Sequence, residues 1–226
     1  MRLAFFGGSF DPPHRGHVAL ARLAKDRLLL DRVLVAPVGT QPLKREAAVV
    51  SFEDRVEMVR LAFAGEPGME VSLIDAVRTN GQPNYTIDTV LELKRDLKTE
   101  DRLFCLMGAD SFLTVGKWYR AVELLLACDF VVGSRPGFDL GRLAAALPEN
   151  ISVAAEDADF PGCLVLGLRG TGDGHSRLYL LPDLAEDVSA TEVRAALSHR
   201  TSTPPGGRPV LNPAVARYIH EHGLYR

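Results

Sequence analysis

Gly7-Gly8-Ser9-Phe10-Asp11-Pro12-Pro13-His14-Arg15-Gly16-His17 joins two segments that follow different periods. Before it, Leu3-Ala4-Phe5-Phe6 is a short apolar run of the kind that forms a buried strand. After it, Leu20, Leu23, Ala24 and Leu28 fall on one face of a helix. A strand, a glycine turn and a helix N-terminus make an anion site, because unpaired backbone N–H groups and the helix dipole point at the ligand. Gly7 and Gly8 let the backbone come close to such a ligand, and Ser9 and Phe10 continue the same turn. His14 and His17, three residues apart, can face one anion and donate hydrogen bonds to its oxygens. Two histidines at this spacing also suit a metal, but no nearby Cys, Glu or third His completes a ligand set. Neither the G-x-G-x-x-G spacing nor the P-loop ending is present.

Outward from this stretch, apolar runs alternate with helical patterns. Arg32 to Ala36, Met69 to Leu73, Leu103 to Met107 and Asp129 to Gly133 read as strands. Between them a helix carries Phe52, Val56, Val59 and Phe63 on one face, with Ser51 and Asp54 as capping partners. Thr86 to Leu97 and Ala121 to Ala127 are further helices. The rhythm predicts an α/β fold: a Rossmann-like, mostly parallel sheet with helices on both faces and right-handed crossovers. Ligands of such sheets bind beyond the carboxyl ends of the strands, where the glycine stretch falls. After Pro136 the rhythm loosens to a helix over Leu140 to Leu147 and strands over Cys163 to Leu168 and Leu178 to Leu181. Gly170 to Gly174 reads as an exposed hairpin or loop, and Thr201 to Pro209 as a flexible segment. Pro213 opens a last helix with Val215, Tyr218 and Ile219 inward and Gly223 after its end. Residues 1–226 are expected to form one domain, with a small C-terminal helical part over about 187–226.

Composition bounds the class. With 226 residues, 46% hydrophobic and 24% charged, the chain has the make-up of a globular protein. No apolar run reaches the ~18 residues that span a bilayer. The N-terminus enters a strand directly, without a signal peptide's apolar core, so a cytoplasmic protein is expected. Cys105, Cys128 and Cys163 are odd in number and set in apolar sequence, which predicts reduced, buried thiols. A net charge of −3 argues against nucleic acid as a partner. A polyanionic ligand would therefore need local cations, and Arg15, Lys44, Arg45, Arg135 and Arg194 stand in loop or helix-start positions.

Far along the chain, Ser189-Ala190-Thr191-Glu192-Val193-Arg194 contains a capping box, Ser189 with Glu192. Capping does not explain Thr191 and Arg194, which can project toward an anion from the same turn, the arginine with forked donors suited to phosphate. Together with the H-x-G-H stretch, this element resembles the H-x-G-H nucleotidyltransferase superfamily, and within it the bacterial nicotinate-nucleotide adenylyltransferases. The likeness extends to Pro83-Asn84-Tyr85-Thr86, Gly108-Ala109-Asp110-Ser111, Lys117-Trp118-Tyr119 and the closing His222-Gly223-Leu224-Tyr225-Arg226.

The resemblance implies transfer of AMP from ATP to nicotinate mononucleotide, giving nicotinate adenine dinucleotide and pyrophosphate in NAD biosynthesis. It makes His14, His17 and Arg194 the catalytic set. ATP is expected to contact Gly7, Gly8, Ser9, Phe10, His14 and His17, the resemblance adds Ser189, Thr191 and Arg194 as holders of its phosphates, and Asp110 and Arg135 join by their positions at strand ends. The substrate side falls to Lys44, Thr86, Trp118 and Tyr119, where the only Trp can stack on a pyridine ring. Mg²⁺ is expected to arrive with ATP rather than on a protein ligand set, Asp110 being the one carboxylate suited to support it. One departure stands out: Gln41-Pro42-Leu43-Lys44-Arg45 has Leu43 where family members often carry a histidine. Alternatives are the same chemistry on nicotinamide mononucleotide or phosphopantetheine, or a nucleotide-binding sensor without turnover. An NAD-dependent oxidoreductase is disfavoured by the missing glycine fingerprint. Partners are ATP and the mononucleotide, with no membrane and with homo-oligomerisation left open.

Overall fold

A computed structural model describes residues 1–42, 48–134, 141–182, 184, 186, 188–198 and 209–226. Its centre is β1, Arg2–Gly8, flanked by β2, Arg32–Pro37, on one side and β4, Arg102–Gly108, on the other. β3, Met69–Val71, extends the β2 edge, and β5, Asp129–Gly133, lies beside β4. All of these pairs are parallel, so their carboxyl ends share one rim, as the alternating sequence predicts.

The far edge departs from the simple pattern. β8, His175–Leu181, pairs parallel with β5, but β7, Leu164–Arg169, runs antiparallel between β8 and β6, Ser152–Glu156. The eight strands take the order β3-β2-β1-β4-β5-β8-β7-β6. Gly170 to Gly174 forms the β7–β8 hairpin turn, closed by Gly170 N–H donating to Gly174 O at 3.1 Å.

Alternation along the strands divides the core in two. Ala4, Phe6, Phe104, Leu106 and Val131 face one layer, which holds α1 (Arg15–Leu28), α2 (Phe52–Ala62), α7 (Ala190–Ser198) and α8 (Pro213–His222). Leu3, Phe5, Cys105, Met107 and Phe130 face the other, against α3 (Thr86–Arg95), α4 (Ala109–Phe112), α5 (Ala121–Ala127) and α6 (Gly141–Ala145). Helix ends follow the sequence signals. Ser51 Oγ accepts from Asp54 N–H at 3.0 Å, and Asn212 caps α8 ahead of Pro213. Gly223 ends α8 at φ 63°. The three cysteines are buried and unbridged. No described helix is long and apolar enough to cross a membrane.

Beyond β2 the chain turns back toward the 72–85 loop, and Gly39 makes the approach feasible. Its N–H donates to Asp75 O at 2.7 Å. A Cβ there would lie 2.4 Å from Val77 N and 2.6 Å from Val77 Cα, backbone atoms that cannot rotate aside. Gly39→Ala is therefore expected to push the two loops apart and lower stability by about 1–3 kcal/mol. Urea unfolding checks this, and an unchanged midpoint would show that the loops are slack.

Candidate active site

The strand rim opens into a cleft of about 830 Å³. It is lined by the glycine stretch, the start of α3, the β4–α4 junction, the Lys117 to Tyr119 segment and the approach to α7. Of the predicted residues, Gly7, Gly8, Ser9, Phe10, His14, His17, Thr86, Asp110, Trp118, Tyr119, Ser189 and Arg194 all line it. Lys44 and Arg135 lie outside the described residues, as do Leu43 and Arg45.

The two glycines of the turn answer to aromatic rings. A Cβ on Gly7 would meet the buried Phe5 ring at 2.7 Å, and one on Gly8 would meet Phe10 at 3.1 Å. Phe10 itself sits in the left-handed region at φ 47°, unusual for a side chain of its size. Its ring packs 4.9 Å from His17 and 5.3 Å from Phe6. The histidines are closely coupled, their ring centroids 3.8 Å apart. His14 N–H donates to His17 Nδ1 at 3.1 Å, which leaves the His17 hydrogen on Nε2 as a donor. The His14 Nδ1 is buried without a hydrogen-bond partner. Gly16 lies under it, and a Cβ there would come within 3.1 Å of that nitrogen. The glycine of H-x-G-H thus makes room for the first histidine.

Both imidazoles are held neutral. Burial lowers His14 to about 4, opposed in part by Glu192. Burial and then the neighbouring His14 push His17 well below its ordinary value. The two rings therefore offer uncharged donors, and an anion bound against them would favour their protonation.

Arg194 reaches the glycine stretch from α7. Its Nη1 donates to Asp11 O at 2.7 Å and its Nη2 to Thr191 Oγ1 at 3.3 Å. Thr191 does not line the cleft; it meets the arginine instead. Ser189 Oγ donates to Glu192 Oε2 at 2.9 Å and accepts from Glu192 N–H at 3.2 Å, so the expected capping box is formed. Arg15 does not line the cleft itself: it pairs at 2.5 Å with Glu186, which does, and donates to Pro209 O at 3.3 Å.

Sequence inspection missed the groups that brace the cleft. The buried Arg55 donates to Ser9 O at 2.9 Å and Val38 O at 2.8 Å, tying the glycine stretch to the end of β2. Burial lowers its pKa, with Asp11 opposing. Asn84 joins three strands of loop: its Oδ1 accepts from Thr40 N–H at 2.9 Å, and its Nδ2 donates to Ala76 O at 2.8 Å. Buried Asp75 accepts from Thr89 Oγ1 at 2.7 Å and is raised by burial. At the other end of the cleft, Tyr85 and Tyr119 rings stand 4.3 Å apart, and Trp118 Nε1 donates to Thr114 Oγ1 at 3.0 Å. These partners are set by tertiary approach, and only Asp75, a lone carboxylate in the apolar run Leu73-Ile74-Asp75-Ala76-Val77, and the place of Asn84 in the Pro83 to Thr86 likeness hinted at them.

A parallel sheet with a glycine–histidine turn at its central strand, facing an arginine from a late helix, defines a protein of the nucleotidyltransferase class. The chain belongs to the cytidylyltransferase-like family, whose sequence profile matches residues 5–196, and to its nicotinate-nucleotide adenylyltransferase branch. A probable nicotinate-nucleotide adenylyltransferase of Gloeobacter violaceus is 38% identical over 99% of this chain and 96% of its own. That of Laribacter hongkongensis is 37% identical over 99% and 94%. In fold, the chain is similar to the Plasmodium falciparum nicotinic acid mononucleotide adenylyltransferase, solved with APC, with a TM-score of 0.65 at 15% identity, covering 99% of this chain and 96% of that one.

The histidine environment has a pH consequence. Unfolded His14 takes up a proton near pH 6.5, whereas the folded chain resists until about 4. The unfolded state then binds more protons across that window, so stability falls on acidification by up to about 1.4 kcal/mol per pH unit from this residue. His14→Gln removes that part of the slope. Urea midpoints between pH 7 and 4 test it; parallel curves for the two proteins would mean that His14 is protonated when folded.

Proposed function

We infer that this protein transfers AMP from ATP to nicotinate mononucleotide, releasing pyrophosphate and forming nicotinate adenine dinucleotide for NAD biosynthesis. The observation that carries the reading is the continuity of one cleft from the H-x-G-H turn and Arg194 to the Thr86, Trp118 and Tyr119 corner. Such a cleft can hold a nucleoside triphosphate and a mononucleotide side by side.

The 5′-phosphate of the mononucleotide is already ionised at neutral pH, so its oxygen attacks the α-phosphorus without a general base. A new P–O bond forms in line as the α–β bridge breaks, and pyrophosphate carries off the electron pair. The protein's task is alignment and stabilisation of charge. His17 Nε2–H and His14 donate to the α and β phosphates, and Arg194 offsets charge on the leaving group. Ser9, Phe10, Gly7 and Gly8 shape the wall against which the triphosphate lies, with Ser189 and Thr191 at the α7 end. Thr191 acts through Arg194 rather than by contact. Arg135 and Lys44 are assigned to the nucleotide and the mononucleotide phosphate from the sequence pattern. Thr86, at the first turn of α3, and Trp118 with Tyr119 receive the pyridine ring and its carboxylate.

The donor set fits a metal brought by its ligand. Among the described residues no trio of His, Cys, Asp or Glu is grouped to hold an ion. Asp11, Asp75 and Glu186 in the cleft are engaged by Tyr225, Thr89 and Arg15. The exposed Asp110 carboxylate is left to support Mg²⁺ held by the triphosphate, which supplies further charge neutralisation when bound. We further assign the whole chain to one nucleotidyltransferase domain acting in the cytoplasm, with α7 and α8 as its C-terminal helical part; a homo-oligomer is compatible with this reading.

His17→Asn is expected to lower turnover by ~10²–10³ while the protein stays folded at the assay temperature, the effect of removing one charge-stabilising donor. Pyrophosphate release with ATP and Mg²⁺, measured in parallel on nicotinate mononucleotide, nicotinamide mononucleotide and phosphopantetheine, checks both chemistry and acceptor. Preference for another acceptor would overturn the assignment of the ring corner. ATP binding without release would identify a sensor.

A further inference from the structure

Asp11 is a buried carboxylate inside the phosphate-binding turn, and the transfer chemistry has no use for it there. Its environment is complete nonetheless. Tyr225 donates its hydroxyl to Oδ1 at 2.6 Å, and Val49 N–H donates to Oδ2 at 2.8 Å. The same residue's main-chain oxygen accepts from Arg194 Nη1 at 2.7 Å. One residue therefore receives the chain's next-to-last side chain on its carboxylate and the cleft arginine on its carbonyl.

The tail is built to deliver that hydroxyl. α8 is anchored on α2 by Tyr218 Oη donating to Asp54 Oδ1 at 2.9 Å and by Asn212 Nδ2 donating to Leu61 O at 3.3 Å. Gly223 turns the chain out of the helix, and Leu224 N–H closes back on Ile219 O at 3.0 Å. Tyr225 then adopts φ 60°, a left-handed conformation that an aromatic residue rarely takes, and its side chain is buried. Phe10, the residue before Asp11, is left-handed as well. Two unfavourable backbone conformations meet at one hydrogen bond, and strain of this kind persists where surrounding structure over-determines it.

We propose that Tyr225 is a positioning residue for nucleotidyl transfer: its hydroxyl fixes Asp11, and Asp11 through its main-chain oxygen holds the Arg194 guanidinium at the cleft. The proposal rests on the reading of Arg194 as a ligand of the ATP phosphates. Burial and the Asp11 carboxylate raise the Tyr225 phenol well above its ordinary value, so it stays a donor at every working pH. Thr191 supplies the second anchor of the guanidinium at 3.3 Å, the longer of its two bonds. Loss of the Asp11 anchor leaves Arg194 tethered by that bond and free to swing.

A double-mutant cycle read by calorimetric titration with ATP and Mg²⁺ tests the idea. Tyr225→Phe, which removes one oxygen, is expected to weaken ATP binding about five- to tenfold. In steady-state assays it raises KM for ATP and leaves KM for the mononucleotide unchanged. On the Arg194→Ala background the same substitution has less than a twofold effect, because no guanidinium remains to be held. Asp11→Ala, which leaves the main-chain oxygen but gives Tyr225 nothing to grip, reproduces the result and replaces Tyr225→Phe if that variant melts below the assay temperature. Equal weakening with and without Arg194 would overturn the proposal and make Tyr225 a packing anchor for α8; so would wild-type binding by both variants. A wild-type protein that binds ATP but ignores nicotinate mononucleotide would refute the assigned reaction while leaving the cycle readable.

Discussion

A phosphate site made largely of main chain works only if the carbonyls of that main chain are held away from the ligand. In the 7–17 turn they are occupied from behind. Gly8 O accepts from Val38 N–H and Ser9 O from Arg55, while Asp11 O is bound by Arg194 and His14 O by His17 N–H. Two of these four partners are guanidinium groups, and charge-assisted bonds of this sort are stronger than neutral ones. Arg55 and Arg194 thus bring two guanidinium groups to the turn in a chain whose overall charge is −3, with Asp11 and Glu53 acting on Arg55. Burying Arg55 carries a desolvation penalty, visible in its lowered pKa, and its bonds to main-chain oxygens offset that penalty.

The histidines complete the design in the opposite way. If both were charged, two imidazolium rings 3.8 Å apart would repel, and burial would add to the cost. Held neutral, they keep their hydrogen-bonding capacity and gain charge only as an anion supplies the compensation. The hydrogen bond from His14 N–H to His17 Nδ1 selects the tautomer that aims a donor outward. Gly16 is part of this arrangement, since the His14 ring occupies the space a side chain would need.

Features governed by nearby residues were legible in the sequence. The strand–turn–helix around Gly7 to His17, the Ser51 and Ser189 caps and the Pro213 to Gly223 helix all follow from local chemistry. The antiparallel β6 escaped because Ser152–Glu156 is a short edge strand of small residues, largely exposed, with no apolar alternation to betray it. Arg15 looked like a cleft cation because position alone was visible; Glu186, reached only in the folded chain, draws it off. Tyr225 carried the faintest signal: an aromatic beside a C-terminus is commonplace, and its partner Asp11 lies 214 residues away in sequence. Local signals report where a ligand approaches, and the groups that hold the site rigid come from anywhere in the chain.

The cleft also separates recognition of charge from recognition of shape. The glycine–histidine end is fixed by hydrogen bonds from Arg55, Arg194 and Tyr225 that tie β1, β2, α7 and the C-terminal tail together. The ring end is assembled from loops, cross-tied by Asn84 and finished with the Tyr85–Tyr119 pair, in which Tyr119 is 53% exposed. Loops accept substitution more readily than a buried ionic network, because fewer partners are left unsatisfied when one side chain changes. Under the proposed function, a scaffold arranged this way keeps its chemistry at the braced turn and can change its acceptor among the loops.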